Sequence, residues 1–144
     1  MTAPNTQTTQ LTKFWGDFNQ DAIMSSMPAP IAGVAGNQTI AANSGIIGGL
    51  LSHTPTANVT LTLDTAANFV TQIFGSGPAV NTAANQGAYF DFTIVNLGST
   101  ANTADTLAAG TGGTTSGNMT ISLSTSASFR VLFTSNAAYT VYRK

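Results

Sequence analysis

The sequence predicts an all-β domain, an antiparallel sandwich or barrel of about seven or eight strands. Apolar residues alternate with Thr, Ser and Asn over much of the chain after residue 30, and period-two alternation is typical of half-buried strands. Clusters of Gly, Pro, Asn and Ser separate these segments, as turns do. Charged residues make up only 6% of the 144 residues, so the outward faces are predicted to be neutral.

Residues 1–29 are predicted to form an arm that precedes a β-domain over 30–144. After a polar tract at 6–10, apolar residues recur at helical spacing and predict one short stripe: Leu11, Phe14, Trp15, Phe18 and Ala22. The Pro-containing segment 27–30 ends it. This aromatic cluster either packs on its own domain or binds a neighbouring subunit or another protein. We mark Phe14, Trp15 and Phe18 as candidate partner-binding residues.

Five segments of the β-domain show the strand pattern well: 58–63, 89–95, 118–124, 127–134 and 138–143. Weaker strands are predicted at 31–34, 38–42 and 106–109. The segment at 138–143 is expected to hold the C-terminal end of the chain against the domain.

One short helix is predicted over 65–74, between two strands. Asp64 is a candidate cap because a carboxylate can accept from the free amides of the first turn. Apolar residues then fall at helical spacing, and Gly75 provides the stop: Ala66, Ala67, Val70, Ile73 and Phe74. We expect this helix to cover one end of the sandwich.

The composition argues against several classes of partner. The net charge is −1 with only four Lys and Arg residues, so no patch that follows phosphates is expected, and nucleic-acid binding is not predicted. The absence of Cys removes disulfides and thiolate chemistry. Segment 22–63 carries no Asp, Glu, Lys or Arg, yet Asn, Gln, Pro and Gly interrupt it. It is therefore not predicted to span a membrane.

Catalysis is not predicted either. His53 is the only histidine, and Asp64 lies eleven residues away without a motif between them, so we expect His53 to be structural or solvated at a loop edge. The five Asp residues are dispersed and show no ligand spacing for a metal, and no cofactor is expected. We therefore predict that the protein is not an enzyme.

Three further features have structural interpretations. Asp91 and Arg130 face away from the apolar residues of their predicted strands and can form a cross-strand ion pair. Asp105 is expected to shape a loop. The Gly-rich segment 110–113 is followed by no Lys, so it is predicted to be a flexible loop between strands rather than a phosphate site.

A neutral outer surface favours assembly. Thr, Ser and Asn keep the surface polar without ions, and the chain has 24 Thr, 12 Ser and 12 Asn. Two such surfaces can meet without the cost of removing water from charges. Monomeric soluble proteins usually keep mixed charges on their surfaces.

Several segments resemble a pattern found in small structural proteins of tailed phages and other double-stranded DNA viruses. They are YFDFTIVNLG at 89–98, TLAAGTG at 106–112, FRVLFT at 129–134 and YTVYR at 139–143. LTLDTAA at 61–67, followed by a short helix, fits the same arrangement. The resemblance covers about 58–144.

This resemblance implies a jelly-roll-like domain on the capsid exterior, often a homotrimer. Such a protein is made in the host cytoplasm and decorates or cements the major capsid protein in the virion. Phe14, Trp15 and Phe18 would then anchor the arm to a neighbour or to the shell. The alternative is a tail-fibre, spike or adhesin module of the same fold, whose turn loops bind a host-surface glycan.

Overall fold

The computed structural model describes residues 31–32, 36–75 and 87–144. The predicted arm, with Phe14, Trp15 and Phe18, lies outside these residues, so its predictions stay predictions. Ten strands and one helix are present in the described ranges: β1 (Ile31–Ala32), β2 (Gln38–Ile40), β3 (Leu50–Thr54), β4 (Val59–Leu63), α1 (Ala66–Phe74), β5 (Tyr89–Asn96), β6 (Asp105–Ala108), β7 (Gly113–Ser116), β8 (Thr120–Ile121), β9 (Ser126–Ser135) and β10 (Ala138–Arg143).

The strands form two sheets that share one core. The six-stranded sheet has the order β1-β3-β5-β9-β10-β7, and the four-stranded sheet has the order β2-β4-β6-β8. Inward side chains of both sheets belong to a single buried cluster, and the alternating burial along β4, β5 and β9 supplies nearly half of its residues. This arrangement agrees with the predicted all-β class and is compatible with a β-sandwich.

The prediction that the sheets are antiparallel is wrong, because both sheets are mixed. Successive strands from β1 to β9 alternate between the two sheets, so chain neighbours face each other across the core instead of pairing. Strands two apart run in the same direction in β1-β3-β5 and β2-β4-β6, which are parallel, whereas β6 and β8 are antiparallel. The alternation of apolar residues reports which face is buried but not the direction of the neighbouring strand.

Most strand positions agree with the sequence. Four of the five clear segments are confirmed as β4, β5, β9 and β10, and the weaker segments at 38–42 and 106–109 as β2 and β6. The segment at 31–34 is described as strand only over Ile31–Ala32. The strand predicted at 118–124 shortens to β8, and Leu123 is exposed rather than buried.

Two strands were not predicted. In β3 the inward positions are Leu51 and His53, and a histidine in the core breaks the apolar alternation. In β7, Gly113 to Ser116 contains no apolar residue at all. Neither segment therefore has the pattern on which strand prediction depends.

The predicted helix is confirmed as α1, with a different cap. Thr65 is the N-cap, and its hydroxyl accepts from the Asn68 amide at 3.1 Å. Asp64 instead accepts from the backbone amides of Thr65 and Ala42. Gly75 ends the helix with a φ of 86°, a conformation that favours glycine.

Helix α1 packs its buried residues, Ala66, Phe69 and Val70, against the core. Phe69, which the sequence did not single out, contacts the rings of Phe90 and Tyr139 with centroid distances of 5.3 and 5.8 Å. The Tyr139 hydroxyl donates to the Asp64 carbonyl at 2.9 Å and accepts from the Gly110 amide at 2.8 Å. We call this region, defined by Phe69, Tyr139, Gly110, Gly113 and the Asp64 carbonyl, the tyrosine end.

The Gly-rich segment 110–113 has a structural role that the prediction of a flexible loop missed. Gly113 is the first residue of β7 and lies directly over the Tyr139 ring, where any side chain would collide. Gly110 lies equally close to the backbone that follows β4. Glycine is needed here because other chain segments approach the backbone closely.

Candidate functional site

The most distinctive exposed feature is a group of side chains on the outward face of the six-stranded sheet. Register places Asp91 of β5 opposite Arg130 of β9, and Arg130 opposite Tyr142 of β10. Tyr89 lies one outward position along β5, and Lys144 follows β10. We call these five residues the outer patch.

Charged groups in the outer patch bind one another. Arg130 Nε and Nη2 donate to Asp91 Oδ1 and Oδ2 at 2.7 and 2.8 Å, which confirms the predicted cross-strand pair. Lys144 Nζ donates to Asp91 Oδ2 at 2.8 Å. Hydrogen bonds from these two cations hold the pKa of Asp91 well below its usual range. The pair with Asp91 also raises the pKa of Arg130.

The aromatic side chains of the outer patch remain open to solvent. The Arg130 guanidinium lies 4.0 Å from the centre of the Tyr89 ring, a cation–π contact. Tyr89 is 58% exposed and Tyr142 is 40% exposed. Tyr and Arg are enriched among the residues that dominate binding energy at protein interfaces. Side chains already fixed by the ion pairs lose little conformational freedom on binding.

A second surface feature is an open cavity of about 230 Å³ beside α1. Its lining is mainly polar and neutral: Ala42, Asn43, Asp64, Asn68, Thr71 and Gln72. Asp64 accepts hydrogen bonds there from Ala42, Thr65 and Asn68, which lower its pKa even though burial opposes them. Amides and hydroxyls can bind a hydroxylated ligand, although no aromatic ring lines the cavity for stacking.

The largest departure from the sequence predictions is a buried ionisable pair. His53 was expected at a loop edge, but it lies within β3 with its side chain 0% exposed. Its Nδ1 is 2.7 Å from Asp105 Oδ1. Asp105, expected to shape a loop, is the first residue of β6 and is also 0% exposed. The signal available in the sequence was the spacing of Leu51 and His53, which are two residues apart on one face.

This pair has the orientation of the histidine and carboxylate in a catalytic triad, but not the accessibility. The second ring nitrogen, His53 Nε2, is buried and has no hydrogen-bond partner among the described residues. In a triad that nitrogen contacts a nucleophile that substrate can reach. The described residues also contain no group of three or more metal-ligating side chains. What this geometry supports is a polar contact inside the core.

No helix within the described residues is both long and apolar enough to cross a membrane. Comparison with protein-family models, with curated proteins and with solved structures finds no match for this chain.

Proposed function

We propose that this protein is a structural component of a virion, a decoration or cement protein that binds the major capsid protein or neighbouring shell subunits from the capsid exterior. The outer patch is the observation that carries this proposal. It places two exposed tyrosines and a fixed arginine on a sheet face that also carries Ser and Thr hydroxyl groups and the half-buried aliphatic side chains of Val95 and Leu132.

The arrangement of charge supports a protein partner. The described residues contain six charged side chains besides His53, and Asp91, Arg130 and Lys144 of the outer patch satisfy one another. Asp105 is buried, and Arg143 donates to the carbonyls of Asn118 and Thr120. A partner that covers the outer patch therefore meets ions that are already paired with one another, which lowers the cost of removing their water.

The proposed homotrimer and the proposed anchoring role of Phe14, Trp15 and Phe18 belong to the same hypothesis. From the jelly-roll fold that the resemblance implies, the proposal uses only the two-layer architecture, because a jelly roll is antiparallel and these sheets are mixed. A protein of this kind would be made in the host cytoplasm and then assembled on the shell, without catalysis or a cofactor.

Binding to purified shells that lack this protein tests the proposal. We expect the wild-type protein to bind in hundreds of copies per particle and to have a native mass near three times 14.7 kDa. Tyr89→Ser with Tyr142→Ser is expected to reduce occupancy at least tenfold. Leu97→Ser is the matched control, because Leu97 is 52% exposed but lies outside the patch. Equal occupancy for both variants would contradict the role of the outer patch.

The arm is tested in the same assay. Trp15→Ala with Phe18→Ala is expected to reduce occupancy on the shell. Wild-type occupancy for this variant would exclude the anchoring role of the arm while leaving the outer patch to be judged by its own variant.

The alternative is a tail-fibre, spike or adhesin module that binds a host-surface glycan, and the cavity beside α1 is the observation that favours it. Asn43, Thr71 and Gln72 would provide its hydrogen bonds. Titration with a panel of neutral sugars distinguishes the two functions. Saturable shifts of the amide signals of these residues, removed by Gln72→Ala, would favour the alternative, and their absence would exclude it at this site.

A further inference from the structure

The buried pair of His53 and Asp105 connects the two sheets. His53 belongs to β3 of the six-stranded sheet and Asp105 to β6 of the four-stranded sheet, and their hydrogen bond of 2.7 Å crosses the core. The other polar atom of each side chain, His53 Nε2 and Asp105 Oδ2, is buried without a hydrogen-bond partner among the described residues. Among the described residues, no further ion pair or hydrogen bond to either side chain offsets a charge on it.

The strands beside the pair carry no other ionisable side chain at its level. The aligned residues of the neighbouring strands are Ile31 of β1, Asn96 of β5, Val59 of β4 and Ile121 of β8. Thr103, in the loop before β6, is buried as well. Within the described residues, therefore, His53 and Asp105 are the only ionisable side chains at this level of the core.

The one polar neighbour in register already uses its hydrogen-bonding atoms. Asn96 Nδ2 donates to the carbonyls of Thr103 and Ile121, and its Oδ1 accepts from the Gly98 amide. It has no donor left for Asp105 Oδ2. An ionised Asp105 beside an uncharged His53 would thus be a buried anion with a single hydrogen bond, a costly state.

The opposite state is costly for the same reason. If both groups carried a proton, the pair would have a net positive charge, which is costly to bury without a counter-ion. With one proton between them the pair has no net charge and keeps its hydrogen bond. We propose that His53 and Asp105 form a one-proton clasp between the sheets, a pH-sensitive device that joins them most firmly while the pair is neutral overall.

The clasp predicts how stability depends on pH. An unfolded chain binds two protons at these positions below about pH 4, one up to about pH 6.5 and none above that. If the folded pair holds one proton throughout, stability is flat in the middle interval and falls on both sides, by up to tenfold in the folding equilibrium constant per pH unit. Burial raises the pKa of Asp105, because loss of water disfavours the charged carboxylate.

The alkaline side is the diagnostic one. Asp64 and Asp91 have lowered pKa values, so their contributions to stability are lost as pH falls and mask the acid side. Tyr139 has a raised pKa, so its ionisation affects stability only above about pH 10. His53 is the only histidine of the chain. Among the described groups, the clasp is therefore the one expected to determine how stability changes with pH between 6.5 and 9.

Urea unfolding at pH values from 5 to 9 tests the clasp. For the wild type we expect a constant folding equilibrium up to about pH 6.5 and then a decline of up to tenfold per pH unit. The double variant His53→Gln with Asp105→Asn keeps two groups that can hydrogen bond but cannot titrate, and its profile should stay flat. A wild-type profile that stays flat or rises above pH 6.5 would overturn the proposal.

A second measurement needs only the wild type and so covers the case in which the variant does not fold. Because the chain has one histidine, the ring nitrogen signals of a nitrogen-15-labelled sample belong to His53 alone. We expect these signals to stay constant from pH 5 to 8. A complete titration of the ring within that range, as a solvated imidazole shows, would mean that the pair does not hold one proton. Neither result depends on whether the protein binds a shell.

Discussion

The two ends of the core between the sheets connect the same two layers by different chemistry. At the tyrosine end, the Tyr139 hydroxyl of β10 bonds to the Asp64 carbonyl after β4 and to the Gly110 amide after β6, so it is both donor and acceptor. The opposite end, which we call the histidine end, contains His53, Asn96, Thr103 and Asp105, all 0% exposed. There the sheets are joined through an ionisable pair whose remaining atoms lack partners among the described residues.

This difference shows how one fold can combine a pH-independent connection with a pH-dependent one. Burial raises the pKa of the Tyr139 phenol, so it stays neutral below about pH 10, and aromatic packing surrounds it. A histidine and an aspartate in an apolar setting must share a proton to avoid a net charge. The tyrosine end should therefore dominate stability, and the histidine end should dominate its response to pH.

The largest effect is expected at the tyrosine end from Phe69→Ala. Phe69 is fully buried and contacts the rings of Phe90 and Tyr139, so its removal leaves a cavity between α1 and the sheets. We expect a loss of about 4 kcal/mol in the free energy of unfolding, measured by urea titration. Ile73→Ala on the same helix is the control, because Ile73 is 36% exposed and should lose much less.

The next effect is expected at the histidine end from Asp105→Ala. This change leaves the His53 ring buried without its partner, and we expect a loss of about 3 kcal/mol at pH 6. Adding His53→Leu to that variant removes the unpaired polar group and should recover part of the loss. If the double variant is no more stable than Asp105→Ala, the cost does not arise from the unpaired ring.

A smaller effect is expected from Tyr139→Phe, which keeps the ring and removes the hydroxyl. The Gly110 amide and the Asp64 carbonyl each lose a partner, so a loss of about 1 to 2 kcal/mol is expected. Burial raises the pKa of Tyr139, so the wild type should lose stability as pH rises above about 10, whereas the variant lacks this loss. Parallel pH profiles for the two proteins above pH 10 would contradict this assignment.

The smallest effect is expected outside both ends, from Asp91→Asn in the outer patch. The side chains of Asp91 and Arg130 are 36% and 38% exposed, so water and salt screen their attraction. Urea titration at pH 7 should detect little or no change. The lowered pKa of Asp91 means that any contribution is present above the ordinary carboxyl range and is lost as pH falls. A loss as large as that of Asp105→Ala would show that the pair behaves as a buried one.

The sequence predicted best where one face of a segment is purely apolar. Phe90, Phe92 and Ile94 on β5, and Phe129, Val131 and Phe133 on β9, are all buried as their alternation predicts. Prediction failed where a strand has a polar residue on its buried face or has no buried residue at all. His53 interrupts the apolar face of β3, and β7 contains no apolar and no buried residue, so neither strand shows the pattern.

The candidate sites were likewise predicted where local alternation was informative and missed where it was not. Alternation placed Asp91 and Arg130 outward on their strands, and the pair between them is confirmed at 2.7 Å. The pair of His53 and Asp105 could not be predicted, because its members are 52 residues apart and belong to different sheets. Tyr89 and Tyr142 belong to the same patch only because β9 lies between their strands.

The sequence alone determined the composition of each layer: neutral hydroxyl-rich outward faces, apolar inward faces, and one helix ended by Gly75. These are local properties, fixed by side-chain chemistry and by the period of the backbone. Only the tertiary structure decided which strands pair, in which direction, and that His53 meets Asp105 across the core. Those contacts depend on strands that pass alternately from one sheet to the other. No local pattern records that path, because alternation is the same for parallel and antiparallel neighbours.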